Sequence, residues 1–157
     1  MNIRHINTAN RELHLIDIEN ELGTGQVRAA DIARFRTFYL KANNVPADAH
    51  IVVASSSSQN LLESAFGWPG ARTVWLPGHD GADRALLEIA YEENVEKRYD
   101  KVVIASGDHI FASAAESLQN MGVKVKVFAR AVFASVILRS ACNDVELYSA
   151  DDFSLAA

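Results

Sequence analysis

The residues best placed for chemistry in this chain are three aspartates, each close behind a short apolar run. Asp17 stands in Leu15-Ile16-Asp17-Ile18-Glu19-Asn20, and Asp108 in Ser106-Gly107-Asp108-His109. Asp83 closes the segment Pro77-Gly78-His79-Asp80-Gly81-Ala82-Asp83. Carboxylates brought together repel unless they are protonated or bridged by a cation. Hard oxygen donors suit Mg²⁺ or Mn²⁺ rather than zinc. Such an ion binds a phosphate oxygen and activates water for in-line attack. An acid cluster therefore points to hydrolysis of a phosphodiester. An aspartate between a strand and a helix is also a common N-cap, so cap and ligand both stay open for each of the three.

These positions depend on the elements around them. Apolar runs predict strands at 13–17, 50–54, 72–76, 101–105, 123–128 and 145–148. Amphipathic spacing predicts helices at 27–42, 58–66, 80–97, 109–121 and 131–140, the fourth ended by Gly122. Strict alternation implies right-handed βαβ units and a mainly parallel sheet covered on both faces. The expected fold is a three-layer α/β/α sandwich, formed by a single domain over residues 1–157. Ligands in such folds bind beyond the carboxyl ends of the strands, where the strand order reverses. Helical spacing sets Asp83 in a row with Leu86, Leu87 and Ala90, facing the sheet. The solvated row of that helix reads Arg84, Glu88, Glu92 and Glu96. A carboxylate on the inner row needs a partner, either the helix N-terminus or a metal ion.

Composition narrows the class. The chain has 157 residues, 49% of them hydrophobic, with 20 acids against 15 Lys and Arg and a formal net charge of −5. It is long enough for a real core and is not of disordered composition. One cysteine, Cys142, excludes an internal disulfide and a Cys-rich zinc module, and fits a reducing cytoplasm. No apolar run reaches the ~20 residues of a membrane span, and no signal-peptide core is seen. The expectation is a cytoplasmic protein with no membrane partner. No glycine-rich nucleotide fingerprint and no G-x-S-x-G elbow occurs.

Smaller signals remain. Ser55 to Ser58 follow the second strand, where they either cap a helix or present hydroxyls and amides to a phosphate. His109 follows Asp108 and is a candidate phosphate contact or a plain helix-start residue. His79 and Asp80 flank the same edge. Lys124, Lys126, Arg130 and Arg139 form a stretch free of acids, and Arg28, Arg34, Arg36 and Lys41 lie on the first long helix. Either stretch is a candidate groove for an RNA backbone or a solvated face.

The motifs together resemble the NYN domain, a family of PIN-like metal-dependent ribonucleases. Ile16-Asp17-Ile18-Glu19-Asn20 is similar to its opening Ile-Asp-Gly-x-Asn motif. Asp83, in Gly81-Ala82-Asp83-Arg84-Ala85-Leu86, matches its second aspartate. Ser106-Gly107-Asp108-His109-Ile110-Phe111 resembles its Ser-Gly-Asp-x-Asp-Phe motif. Gly122 to Val127 and Ala150-Asp151-Asp152-Phe153 resemble its later segments, so the likeness spans residues 11–155. It implies that Asp17, Asp83 and Asp108 are catalytic metal ligands for Mg²⁺ or Mn²⁺. It also implies that Asn20 supports the site or contacts the substrate, single-stranded RNA. Ile110 departs from the pattern, since an acid stands there in the family. Glu19, Asp80, Asp151 and His109 are candidates to compensate.

The leading expectation is a metal-dependent ribonuclease with Asn20, Ser55 and His109 near its substrate. The rival is a non-catalytic relative that binds RNA or protein through a degenerate metal site. A third reading is an oligomerising module, a homo-oligomer using Phe66, Trp68 and Trp75.

Overall fold

The β-branched runs of the chain form six strands in a computed structural model that describes residues 11–154. They are β1 (Glu12–Asp17), β2 (His50–Ser55), β3 (Arg72–Trp75), β4 (Lys101–Ala105), β5 (Lys124–Arg130) and β6 (Asp144–Tyr148). The sheet order is β3-β2-β1-β4-β5-β6, and every neighbouring pair runs parallel. The mainly parallel sheet of the sequence reading is thus wholly parallel among the described residues. β1 lies in the middle, with Asp17 beside Ala54 of β2 and Ile16 beside Ala105 of β4.

The helices are α1 (Ile18–Leu22), α2 (Ala29–Ala42), α3 (Ser58–Gly67), α4 (Gly81–Glu92), α5 (Val95–Arg98), α6 (Ala112–Asn120), α7 (Val136–Ala141) and α8 (Ala150–Ser154). Side chains alternate across a strand, so the sheet serves two cores. Leu13, Leu15, Val52, Ile104 and Val127 meet Leu86, Ile89, Leu118 and Leu138 from α4, α6 and α7. Ile16, Val53, Val103 and Phe128 meet Ile32, Phe35 and Tyr39 of α2, with Trp68, Tyr148 and Phe153. These are the two outer layers of the expected sandwich.

The second core is aromatic. The Phe35 ring lies 5.6 Å from Tyr39, 6.4 Å from Trp68, 6.1 Å from Tyr148 and 5.9 Å from Phe153, centroid to centroid. These separations fall in the favourable range for aromatic pairs. His14 on β1 is fully buried there, with Nδ1 2.7 Å from the Tyr39 hydroxyl and Nε2 3.0 Å from Glu12 Oε2. Burial lowers its pKa against the pull of Glu12, which favours the neutral ring. Trp68 is 2% exposed, so this residue belongs to the core rather than to an oligomer interface.

The structure departs from the sequence reading at several boundaries. The helix expected over 80–97 is two, because Asn94 takes φ 53° between α4 and α5. Glu93 then leaves the helix and forms a two-pronged ion pair with Arg72 at 2.8 and 2.9 Å. The stretches 109–121 and 131–140 each open as a short 3₁₀ turn, His109–Phe111 and Ala131–Phe133, before α6 and α7 begin. α1 and α8 are too short to show a helical period. Lys124 and Lys126 lie at the start of β5, on the sheet edge opposite the aspartates, and Lys126 pairs with Glu146 at 3.3 Å. They do not line the predicted site.

Candidate functional site

The connections from β1 run outward through β2 to β3, while β4 starts the other half of the sheet. The reversal of strand order therefore falls between β1 and β4, and it is beyond the carboxyl ends of such strands that sheets of this kind take their ligands. Asp17 ends β1 and caps α1, where Oδ1 accepts from the Asn20 amide at 3.2 Å. Its Oδ2 accepts from the Ser106 hydroxyl at 3.4 Å. Alternation turns Asp17 to the same sheet face as Leu13 and Leu15, which is the face that α4 covers.

α4 delivers Asp83 to this point. Gly81 starts the helix so close under Leu76 that an added Cβ would stand 1.8 Å from the Leu76 carbonyl oxygen. Asp83 follows in the first turn, on the buried row with Leu86 and Ala90. Its carboxyl meets that of Asp17 within hydrogen-bonding range. Asp17 is 5% exposed and Asp83 6%. Burial, then the neighbouring acid, holds the Asp17 pKa well above the usual carboxylate range, against the Asn20 amide. Burial also raises Asp83, with Asp108, Asp80 and Glu19 adding repulsion while the Asp17 contact lowers it. The pair therefore favours sharing a proton when no cation is near. Asp83 Oδ1 is buried without a hydrogen-bond partner. Two facing hard-oxygen donors, one of them unpartnered, fit a divalent cation.

Asp108 stands alongside rather than inside this pair. Its Oδ1 accepts from the Ile110 amide at 3.0 Å and lies 3.3 Å from His109 Nδ1. Its amide donates to the Ser106 hydroxyl at 3.2 Å, so Ser106 links the Asp17 and Asp108 ends of two strands. Among the described residues, no group of three or more His, Cys, Asp or Glu side chains is arranged to hold a metal ion. Ile110 is half-buried and packs against the core under α4 and α6. The position where the resembling family carries an acid thus holds an apolar side chain.

The supporting residues have definite tasks. Asn20 Oδ1 accepts from the Gly107 amide at 3.0 Å, which clamps the Ser106-Gly107-Asp108 turn to α1. Glu19 Oε2 accepts from the Ser56 amide and hydroxyl, both at 3.0 Å, and from Asn60 Nδ2 at 2.6 Å. It fills the N-terminal end of α3, where sequence reading offered a phosphate site. Ser57 caps α3 by accepting from the Asn60 amide at 3.1 Å. Ser55 departs from the substrate contact expected of it: it is 1% exposed and its hydroxyl donates to the Ser57 carbonyl at 3.3 Å. His109 is exposed beside Asp108, and His79 is exposed with Nδ1 2.9 Å from Asp80 Oδ1. That contact raises the His79 pKa. Asp151 is exposed on α8.

Two residues of this edge, Asn60 and Glu21, escaped sequence reading, and Arg130 was seen only as part of a basic stretch. Asn60 is 2% exposed, accepts from the Val27 amide at 3.3 Å and donates to the Gly25 carbonyl at 2.9 Å, which pins the loop before α2. Glu21 is fully buried, and the Tyr148 hydroxyl donates to its Oε2 at 2.5 Å and to its carbonyl at 3.0 Å. Burial pushes the Glu21 pKa up to about 8 despite these bonds and the nearby Arg130 charge. Arg130, at the end of β5, donates to the Leu22 carbonyl at 3.2 Å, and its guanidinium carbon lies 5.6 Å from the Phe133 ring centroid.

Comparison with known proteins completes the picture. A family profile described as the NYN domain matches residues 15–148. A crystal structure of a protein of unknown function from Vibrio parahaemolyticus is similar at a TM-score of 0.60 and 16% identity, over 90% of this chain and 94% of that one. This likeness supports the α/β/α fold. No curated protein matches the chain. No helix among the described residues is long and apolar enough to cross a membrane.

Proposed function

We propose that this chain, which belongs to the NYN domain family, is a divalent-metal-dependent ribonuclease acting at the carboxyl ends of β1 and β4. The observation that carries the proposal is the buried Asp17–Asp83 pair with its unpartnered Asp83 Oδ1. Asp17 and Asp83 would hold Mg²⁺ or Mn²⁺, with Asp108 contributing negative charge beside them. The ion supplies Lewis-acid stabilisation of phosphate charge and a more acidic water.

The chain's own residues do the rest. Asn20 and Ser106 fix the Gly107-Asp108 turn against β1, so the acids keep their spacing. Glu19 ties the α1 start to α3 and keeps that side of the site rigid. His109 stands exposed at the rim beside Asp108, where its ring faces a phosphate entering from solvent. Pre-positioned groups of this kind lower a barrier because they need no reorganisation during the reaction.

The test is cleavage of labelled single-stranded RNA with Mn²⁺ by the wild type, Asp17→Asn, Asp83→Asn and Asp108→Asn. The Asp17 and Asp83 variants should lose about 100-fold or more of the rate, as expected when a charge-stabilising group is removed. Equal rates in all four proteins would reject the assignment. A second reading, a relative that binds RNA or protein without cutting, is favoured by Ile110 in the core and by Asp108 capping its own turn. RNA binding without cleavage under both Mg²⁺ and Mn²⁺ would select it.

A further inference from the structure

We propose that Phe133 is a stacking platform for one unpaired base of the polynucleotide, with Arg130 beside it for the adjoining phosphate. This rests on the nuclease reading of the site, and it adds a contact that no site motif of the sequence contains.

The segment after β5 crosses the end of β4. Its fit there is tight: a Cβ on Gly107 would lie 2.4 Å from the Phe133 carbonyl oxygen and 3.0 Å from Ala134 Cα. The Ser135 amide donates to the Gly107 carbonyl at 2.8 Å. Phe133 is therefore locked against the residue that precedes Asp108, at the rim of the site. Phe133 is 43% exposed, unlike the aromatic residues packed in the second core. The floor beneath it is Gly23, the left-handed cap of α1 at φ 70°. A Cβ there would stand 3.0 Å from Phe133 Cε2 and 2.7 Å from Arg130 Nη1. Glycine at this position leaves both side chains in place.

Charge on this wall is the opposite of that at the site. Arg130 forms no ion pair with a carboxylate among the described residues; it donates to the Leu22 carbonyl and also interacts with the Tyr148 hydroxyl. Glu21, the nearest buried acid, acts on it only through space. The Arg130 guanidinium lies over one face of the ring, 5.6 Å from its centroid, and an aromatic ring paired with a guanidinium is a combination on which single-stranded nucleic acids stack, because every base has a π face and every nucleotide a phosphate. Val132, Val136 and Ile137 extend the wall outward as exposed apolar side chains. A second copy of the chain or another protein would also cover apolar residues. The guanidinium without a carboxylate partner and the contact with Gly107, immediately before Asp108, favour a polynucleotide. A base held in a duplex cannot offer its face, so the nucleotide on Phe133 must be unpaired.

The probe is a fluorescein-labelled single-stranded oligoribonucleotide, titrated by anisotropy in EDTA with the full chain. Phe133→Ala should raise Kd about 5- to 100-fold, the usual range for one stacked base. Phe133→Trp should keep wild-type affinity, and its added indole fluorescence should be quenched by the bound strand. A blunt duplex of the same sequence should bind wild type and Phe133→Ala alike. Unchanged oligonucleotide binding in Phe133→Ala, or an unquenched indole in a strand-bound Phe133→Trp, overturns the platform. A sedimentation shift in Phe133→Ala with unaltered strand affinity also overturns it and marks a contact between copies. Mn²⁺-dependent cleavage measured in parallel separates the two proposals. Cleavage with Phe133-independent binding sinks the platform and spares the nuclease. Phe133-dependent binding without cleavage sinks the nuclease and spares the platform. A wild type that neither binds nor cuts sinks both.

Discussion

Replacing Glu21 with glutamine should remove a large part of the pH dependence of this fold. Glu21 is fully buried, with one carboxyl oxygen bonded to Tyr148 and the other, Oε1, without a partner. Its pKa rises from an ordinary 4.5 to about 8 on folding, mainly through burial. Below pH 4.5 the carboxyl is neutral in both folded and unfolded chains and costs nothing. Between 4.5 and about 8 the unfolded chain ionises while the folded one keeps its proton, so stability falls as pH rises. At ~1.4 kcal/mol per pH unit the whole window amounts to on the order of 5 kcal/mol. Above about pH 8 the loss is complete. Urea unfolding from pH 4.5 to 9 measures it directly. Glu21→Gln and wild type should be of similar stability at the acid end and diverge steadily toward pH 8, the variant becoming the more stable. His14 and Asp17 titrate in both proteins and largely cancel in the difference. Parallel stability curves across this range would refute the reasoning.

Gly107→Ala should cost about 1–3 kcal/mol in thermal or urea unfolding, because its Cβ overlaps the Phe133 carbonyl, and it should also lower RNA cleavage. Asn60→Ala removes the partners of the Val27 amide and the Gly25 carbonyl, for a loss of about 1–3 kcal/mol. Phe35→Ala empties the middle of the aromatic core and should destabilise by about 3–5 kcal/mol. Mn²⁺ should raise the melting temperature of the wild type and leave that of Asp83→Asn unmoved, whereas without metal Asp83→Asn should melt higher than wild type because it removes one of two facing acids.

The aspartate edge was legible because parallel strands send all their carboxyl ends to one side. The helical row of Asp83, Leu86 and Ala90 also turned Asp83 toward the sheet. Three other features depend on tertiary detail that spacing does not encode. Asp108 satisfies its carboxylate on its own turn, and the choice between cap and ligand had no signal in sequence. Glu19 looked like a spare acid until α3 came close enough to receive it. Ser55 pointed inward because β2 continues through it, one residue beyond the apolar run. The Arg130–Phe133 wall was hidden for a different reason. It forms where a 3₁₀ turn crosses a neighbouring strand, a contact between residues far apart in the chain. The helix read over 80–97 failed at Asn94, a residue type that tolerates the left-handed region.

The central place of β1 also has a kinetic side. One edge of β1 pairs with β2, which follows soon after it, but the other waits for β4. Until the chain has been made as far as Ala105, the strand that carries Asp17 presents an open, apolar edge to whatever is nearby. Edges of this kind invite pairing between chains. Non-local parallel pairing is also slow, since the intervening loop must be closed before contacts reward it. Asp17 and Asp83 lie in the first-made part of the chain, whereas the Ser106-Gly107-Asp108 turn arrives only with β4. The edge at which these residues meet is therefore complete only once β4 has docked on β1.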